Sequence, residues 1–260
     1  RKKELNSLKF GLKENEYFLI SYPKSGNTWV RVILSNLLKE NENLRIGIHN
    51  VHQYVPDSHN KTQRTSIIEK KSEFNNLKIK IVKSHDRFKP FFKKKKVIYI
   101  TRNLLDVIPS YFFYLKARKT IQPRIDYVIS GKVNSSFGSW FNHIKFWVKT
   151  KKHNILIIRY ERLKSNPEQE IKSICDFIGL ESNSQEIDNA IKNSDSKRMR
   201  DLEKEHGHYN DTRTASGKSI NFVGYKQDVS TLLNLTQRKK IHKEQKTIDR
   251  IIKMEYKINT

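Results

Sequence analysis

The sequence predicts an α/β fold: a single domain over residues 1–260, built on a central parallel β-sheet flanked by helices. Three observations lead there. Short apolar runs rich in β-branched residues alternate with helical stretches. These runs are apolar enough to be covered on both faces, as parallel strands are. The chain has 260 residues, which suits one large domain with a full core. No internal repeat or clear domain boundary divides it.

The first strand is predicted over residues 17–21 (Tyr-Phe-Leu-Ile-Ser), apolar and aromatic. A helix follows to residue 38. Val30, Ile33, Leu34, Leu37 and Leu38 recur at i, i+3, i+4, i+7 and i+8, the stripe of a half-buried helix. Further strands are predicted over 78–83, 96–101 and 154–159. The third strand leads into a helix over about 103–115, where Pro109 predicts a kink or a delayed start. Asn166 and Pro167 open another helix as cap and first helical residue, and Gly179 closes it in the left-handed region. Thr236 reads as the cap of a basic last helix whose Ile241, Ile248 and Ile252 face inward. Two loop regions, 46–61 with three histidines and 206–227 rich in Gly, Ser, Thr and Asn, are expected to carry ligand contacts. The lysine run 93–96 reads as a solvated turn or strand edge rather than a nucleic-acid tract.

Composition bounds the function only loosely. The net charge is +25, from 52 basic and 27 acidic residues, which implies affinity for anions. Much of that charge is lysine spread among asparagine and isoleucine, so it discriminates poorly between partners. The single cysteine, Cys175, excludes an intramolecular disulfide and a cysteine-based zinc site. Ile171, Ile174 and Ile178 surround it in sequence, and it reads as a small core residue. No apolar run approaches the length of a membrane span and no secretory signal is visible, so a cytoplasmic location is expected.

Chemistry is concentrated in the loop after the first strand. Residues 22–29 read Tyr-Pro-Lys-Ser-Gly-Asn-Thr-Trp and run into the first helix. Unpaired N–H groups and the positive end of the helix dipole meet a lysine there, a combination built to hold an anion such as phosphate. The order is not that of a Walker A loop, which needs two glycines around four residues and then Lys-Ser or Lys-Thr. It resembles instead the 5′-phosphosulfate loop of sulfotransferases that use PAPS (3′-phosphoadenosine 5′-phosphosulfate), where Thr is usual at the position of Asn27. The resemblance implies a P-loop-NTPase-like sulfotransferase fold. It assigns Lys24, Ser25, Gly26, Asn27 and Thr28 to the cofactor.

Two further segments support that resemblance. Residues 102–110 carry Arg102 and Ser110 at the eight-residue spacing of the family's 3′-phosphate segment. Arg102 offers a planar fork to phosphate and Ser110 a hydroxyl. Asp106 reads as a helix cap or a support for the loop. Lys83-Ser-His85 ends the second strand, where the family carries Lys-x-His with the histidine as catalytic base. Sulfuryl transfer needs these residue types. The acceptor hydroxyl must lose a proton, which suits a neutral imidazole, His85. Charge gathers on the leaving phosphate oxygen, which Lys24, the loop amides and Lys83 would stabilise without a metal.

By resemblance, Trp29 and Tyr160 lie near the adenine. The family's Thr-Ser-Phe segment aligns with Ser194-Asp195-Ser196, so its phenylalanine is missing. Arg213, Gly217 and Lys218 are the candidates for the late loop that grips the 3′-phosphate. The desulfated product would be PAP. The acceptor is a small-molecule, glycan or lipid hydroxyl, less readily an amine. Other readings stay open on residues alone. A P-loop-like nucleotide kinase or NTPase would explain the strand, loop and helix. A nucleic-acid-binding protein would explain the charge, though no recognised binding motif is present. A metal site on His206 and His208 with His49 or His52 matches no common ligand spacing.

Overall fold

The structure, a computed structural model, describes residues 16–39, 41–60, 79–118, 123–150, 154–207 and 232–256. Four strands form one parallel sheet: β1 (Glu16–Ser21), β2 (Lys80–Ser84), β3 (Lys96–Thr101) and β4 (Ile155–Arg159), in the spatial order β2-β1-β3-β4. Leu19 lies opposite Lys83 on one side and Ile98 on the other, so β1 is central. The chain leaves β1, adds β2 on one flank, then crosses to add β3 on the other. That reversal is the switch point at which open α/β sheets bind ligands, beyond the carboxyl ends of the strands.

Alternation along β1 divides the core in two. Phe18, Ile20 and Tyr22 pack with Trp140, Ile144 and Trp147 of α4 (Trp140–Thr150), with Val107, Ile108 and Tyr111 of α2 (Leu104–Arg118), and with Ile241, Ile248 and Ile252 of α9 (Leu235–Tyr256). The short α3 (Ile125–Ser130) adds Val128 and Ile129 to this layer. Tyr17 and Leu19 face the other way, onto α1 (Asn27–Leu38), α6 (Pro167–Ile178) and α7 (Ser184–Lys192). Cys175 is fully buried there among Ile171, Ile174 and Ile178, as its sequence setting predicts. Each buried Leu or Ile is worth roughly 1.5–3 kcal/mol, so these two layers hold the sheet. Beside them stand α5 (Tyr160–Ser165) and α8 (Ser196–His206).

Several elements depart from expectation, each for a physical reason. The helix α1 is not half-buried. Val32 packs into a third cluster with Ile46, Ile48, Val51 and Met199, while Arg31, Ser35 and Asn36 are buried too. It is therefore enclosed nearly all round. The helix α2 begins at Leu104 and runs through Pro109, so its start is not delayed. Asn166 precedes α6 but its side chain makes no cap bond, whereas Gly179 closes that helix with φ 70°. Asn234, not Thr236, caps α9: Asn234 Oδ1 accepts the Gln237 N–H at 2.9 Å and Gln237 Oε1 accepts the Asn234 N–H at 2.9 Å. That reciprocal box satisfies two terminal N–H groups at once. No described helix is long and apolar enough to cross a membrane.

Candidate active site

The carboxyl end of every strand delivers one of the residues singled out in the sequence. The loop with Lys24 follows β1, His85 follows β2, Arg102 follows β3 and Tyr160 follows β4. The parallel sheet thus gathers residues spread over more than half the chain along one edge.

The β1 loop is shaped by left-handed backbone. Lys24 has φ 68° and Gly26 has φ 93°, and Ser25 N–H donates to Tyr22 O at 3.3 Å. Such turns aim successive N–H groups into one concavity. Gly26 caps α1 with no side-chain bond, and the first turn of that helix carries no acidic residue. Ser25 Oγ and Asn27 Oδ1 are buried with no hydrogen-bond partner among the described residues. Asn27 Nδ2 is turned back to β1, donating to Ser21 Oγ at 3.1 Å, so the backbone N–H is what this residue offers an anion. At the neighbouring α2 the picture is reversed. Leu105 N–H is capped by Asn103 Oδ1 at 2.8 Å, Leu104 N–H by Gln245 Oε1 at 2.8 Å and Asn103 N–H by Glu161 Oε1 at 2.8 Å. Of these two helix starts, α1 is the one prepared for an external anion. Asn103, not Asp106, is the cap of α2; Asp106 stands 3.8 Å from Arg102 Nε.

Gly26 leaves no room for a side chain. A Cβ built there would lie 2.3 Å from the Tyr160 ring, at a φ that other residues rarely adopt. Gly26→Ala combines left-handed strain of about 1–2 kcal/mol with overpacking of about 1–3 kcal/mol. A fall in melting temperature of about 5–15 °C is expected, read by circular dichroism. An unchanged melting temperature would mean that the ring does not rest on the loop.

Tyr160 organises the cationic side of the site. The Arg102 guanidinium lies 4.4 Å from its ring centroid, and Trp29 meets it edge-on at 6.0 Å. Arg102 Nη1 donates to Lys24 O at 3.2 Å, which ties the end of β3 to the β1 loop. Arg102 Nε is buried with no hydrogen-bond partner among the described residues. Lys24 Nζ sits 4.7 Å over the Tyr114 ring. Burial, with Arg102 nearby, pushes the Lys24 ammonium down to about 8. Two cations crowded at a helix start are the surroundings that an anion relieves.

His85 is fixed on three sides. Its Nδ1 lies 2.7 Å from Ser21 O. A carbonyl only accepts, so Nδ1 carries the proton and Nε2 keeps its lone pair. The His85 N–H donates to His59 Nε2 at 3.0 Å. His143 Nε2–H donates to His85 O at 3.0 Å, and its Nδ1 pairs with the Tyr99 hydroxyl at 2.7 Å. Phe137 meets both His59 and His85 edge-on, at 5.4 Å and 5.8 Å. Burial, then the charge of Lys83, holds the His85 imidazole well below the usual histidine range, so it is neutral at pH 7. The Lys83 ammonium, expected to lend charge beside the phosphosulfate, is 2.8 Å from Asp57 Oδ2.

The remaining candidates divide. Ser110 lies on α2 one turn beyond Asp106, on the same helix face by its spacing. Arg213, Gly217 and Lys218 lie outside the described residues. Ser194 serves a helix junction, donating to Ala190 O at 2.7 Å and accepting from Asn36 Nδ2 at 3.2 Å. Asp195 caps α8 through the N–H groups of Lys197 and Arg198. His206 does approach His49, with ring centroids 4.4 Å apart, but no three described His, Cys, Asp or Glu side chains form a metal-binding group. Asp57, His59, Tyr99, Phe137 and His143 went unnoticed as single residues in the sequence. His59 lies in the histidine-bearing stretch 46–61, whereas His143 is hidden in an ordinary apolar helix pattern.

Comparison with known proteins adds to this geometry. A family model described as the sulfotransferase domain matches residues 14–253. Mouse sulfotransferase 2A6 is 31% identical over 209 residues, 74% of this chain and 69% of that protein. Mouse sulfotransferase 2B1 is 29% identical over 195 residues, 70% of this chain but only 55% of that protein, so the match spans about half of its length. Among solved structures, mouse sulfotransferase SULT7A1 complexed with PAP superposes with a TM-score of 0.68 at 21% identity, covering 96% of this chain and 90% of that one. Retinol dehydratase in complex with retinol and PAP follows the same fold, with a TM-score of 0.62 at 18% identity over 94% of this chain and 83% of its own.

Proposed function

The chain belongs to the sulfotransferase domain family, and we propose that it transfers a sulfuryl group from PAPS to a hydroxyl acceptor. The observation that carries this reading is the pairing of an uncapped, cation-lined loop with a histidine whose Nε2 lone pair is available. The site residues suit the cofactor. Ser25 Oγ and Arg102 Nε are buried polar atoms without hydrogen-bond partners among the described residues, and Lys24 is crowded by Arg102. PAPS would supply the activated sulfonate, with PAP as its leaving group.

Each residue then has a role that its position permits. His85 Nε2 takes the acceptor proton, while Nδ1–H stays on Ser21 O and holds the ring in the basic tautomer. Lys24 and the backbone N–H groups at residues 25–28 offset the charge that develops on the leaving phosphate. Arg102 and Ser110, with Arg213, Gly217 and Lys218 from outside the described residues, hold the 3′-phosphate. Trp29 and Tyr160 border the purine. The acceptor is a small molecule, a glycan or a lipid bearing the hydroxyl.

Calorimetric titration with PAP, using AMP and ATP as controls at physiological salt, tests the assignment. Tight PAP binding that weakens at least tenfold when the 3′-phosphate is removed is expected. Equal affinity for all three nucleotides would overturn the cofactor, and magnesium-dependent ATP hydrolysis would replace the reading with an NTPase.

A further inference from the structure

Residues 55–60 run beside the outer edge of β2 and form a strap between the helix after the anion loop and the histidine base. At its start, Arg31 of α1 donates through Nε to Val55 O at 3.0 Å. In its middle, Asp57 makes a parallel bridge to Lys83. Lys83 N–H donates to Pro56 O at 2.9 Å and Ser58 N–H donates to Lys83 O at 2.9 Å. The two side chains also meet at 2.8 Å, each about 9% exposed. Near the end of the strap, His59 Nε2 accepts the His85 N–H at 3.0 Å, and the rings lie nearly parallel with centroids 6.1 Å apart.

One carboxylate joins these contacts. Asp57 Oδ2 takes the Lys83 ammonium, and Asp57 Oδ1 accepts the His59 N–H at 2.9 Å. The second bond is an Asx turn, which sets the backbone of residues 57–59 and so the direction of the His59 ring. A buried ion pair is weak evidence for stability, because desolvation consumes most of the attraction. Its geometric consequence is specific: the lysine immobilises the carboxylate, and the carboxylate aims His59 at the main chain of His85. We propose that Asp57, held by the Lys83 ammonium, is a positioning residue for the His85 base. This rests on the reading of His85 as the base.

The test removes the Lys83–Asp57 pair together; the buried Arg31, whose charge also reaches Asp57, is common to both variants, so the comparison is between them. Asp57→Ala/Lys83→Met lacks both the ion pair and the turn acceptor. Asp57→Asn/Lys83→Met lacks the ion pair but keeps an oxygen for the His59 N–H. With PAPS and p-nitrophenol as the acceptor probe, the alanine variant is expected to lose about 10- to 100-fold in kcat, the scale of a misplaced catalytic group. The asparagine variant should recover several-fold over it. The two variants should bind PAP within about twofold of each other, since they differ only at Asp57, which does not face the nucleotide on this proposal. Amide hydrogen exchange at His85 should be at least tenfold faster in the alanine variant than in the asparagine variant. A tenfold difference in PAP affinity between the two variants would place Asp57 at the cofactor and overturn the proposal. Equal kcat and equal His85 exchange in the two variants would overturn it as well. A wild-type chain that binds no PAP and turns over no PAPS would instead sink the sulfotransferase reading, and the exchange comparison would still decide the role of the strap.

Discussion

Replacing His85 by alanine is expected to lower turnover about 10³-fold while leaving PAP affinity within about twofold of wild type. The split follows from geometry. Nδ1 is committed to Ser21 O at 2.7 Å, so only Nε2 can exchange a proton with an acceptor. The residue lies at the end of β2, whereas Lys24 and Arg102 follow the two central strands. Its loss removes the proton acceptor without touching the anion loop. The pH dependence has a definite sign. Burial and Lys83 depress the imidazole well below its ordinary 6.5, and the base works only when neutral. The acid limb of kcat/KM, which reports the free enzyme, should therefore fall below pH 6.5, with activity rising toward neutral pH. A limb above 6.5, or full activity in His85→Ala, would remove His85 from the role of base.

Most of the candidate site was legible in the sequence, because its elements report on themselves. The strand at 17–21, the following glycine loop and the helix stripe are local patterns, and the structure returns them as β1 and α1. Parallel topology then does the rest: once four strands point the same way, the residues after each strand must meet at one edge. What stayed hidden was long-range pairing between polar side chains. Lys83 and Asp57 are separated by 26 positions, and His143 and His85 by 58. Neither separation matches a helix or strand period, so nothing in the pattern marks the partners. Arg31 illustrates the same limit. It borders the apolar stripe of α1, and nothing in that pattern marks Val55 O as its partner. The cap of α9 was missed for a smaller reason. Thr236 and Asn234 both suit an N-terminus, and only the reciprocal bonds with Gln237 choose between them.

Lys24→Met is expected to lower both PAP affinity and turnover, by about tenfold or more in Kd and about 10²- to 10³-fold in kcat. Lys24 stands beside Arg102 in a buried setting that pushes its ammonium down to about 8 from an ordinary 10.5. The free protein therefore loses this proton at lower pH than an exposed lysine would. A bound phosphate restores the charged form, because an adjacent anion favours the ammonium. Binding of PAP above pH 8 must then take up a proton at Lys24, and affinity must fall as pH rises through 8. Titrations at pH 8.5 in two buffers of different ionisation enthalpy measure that uptake directly. His85 does not confuse the result, since its pKa lies well below 6.5. In Lys24→Met the proton uptake should vanish together with the affinity. Uptake that persists in the variant would mean that another group carries the linkage. Wild-type affinity in the variant would mean that the loop after β1 does not hold the nucleotide, and that the two cations crowded there serve a different anion.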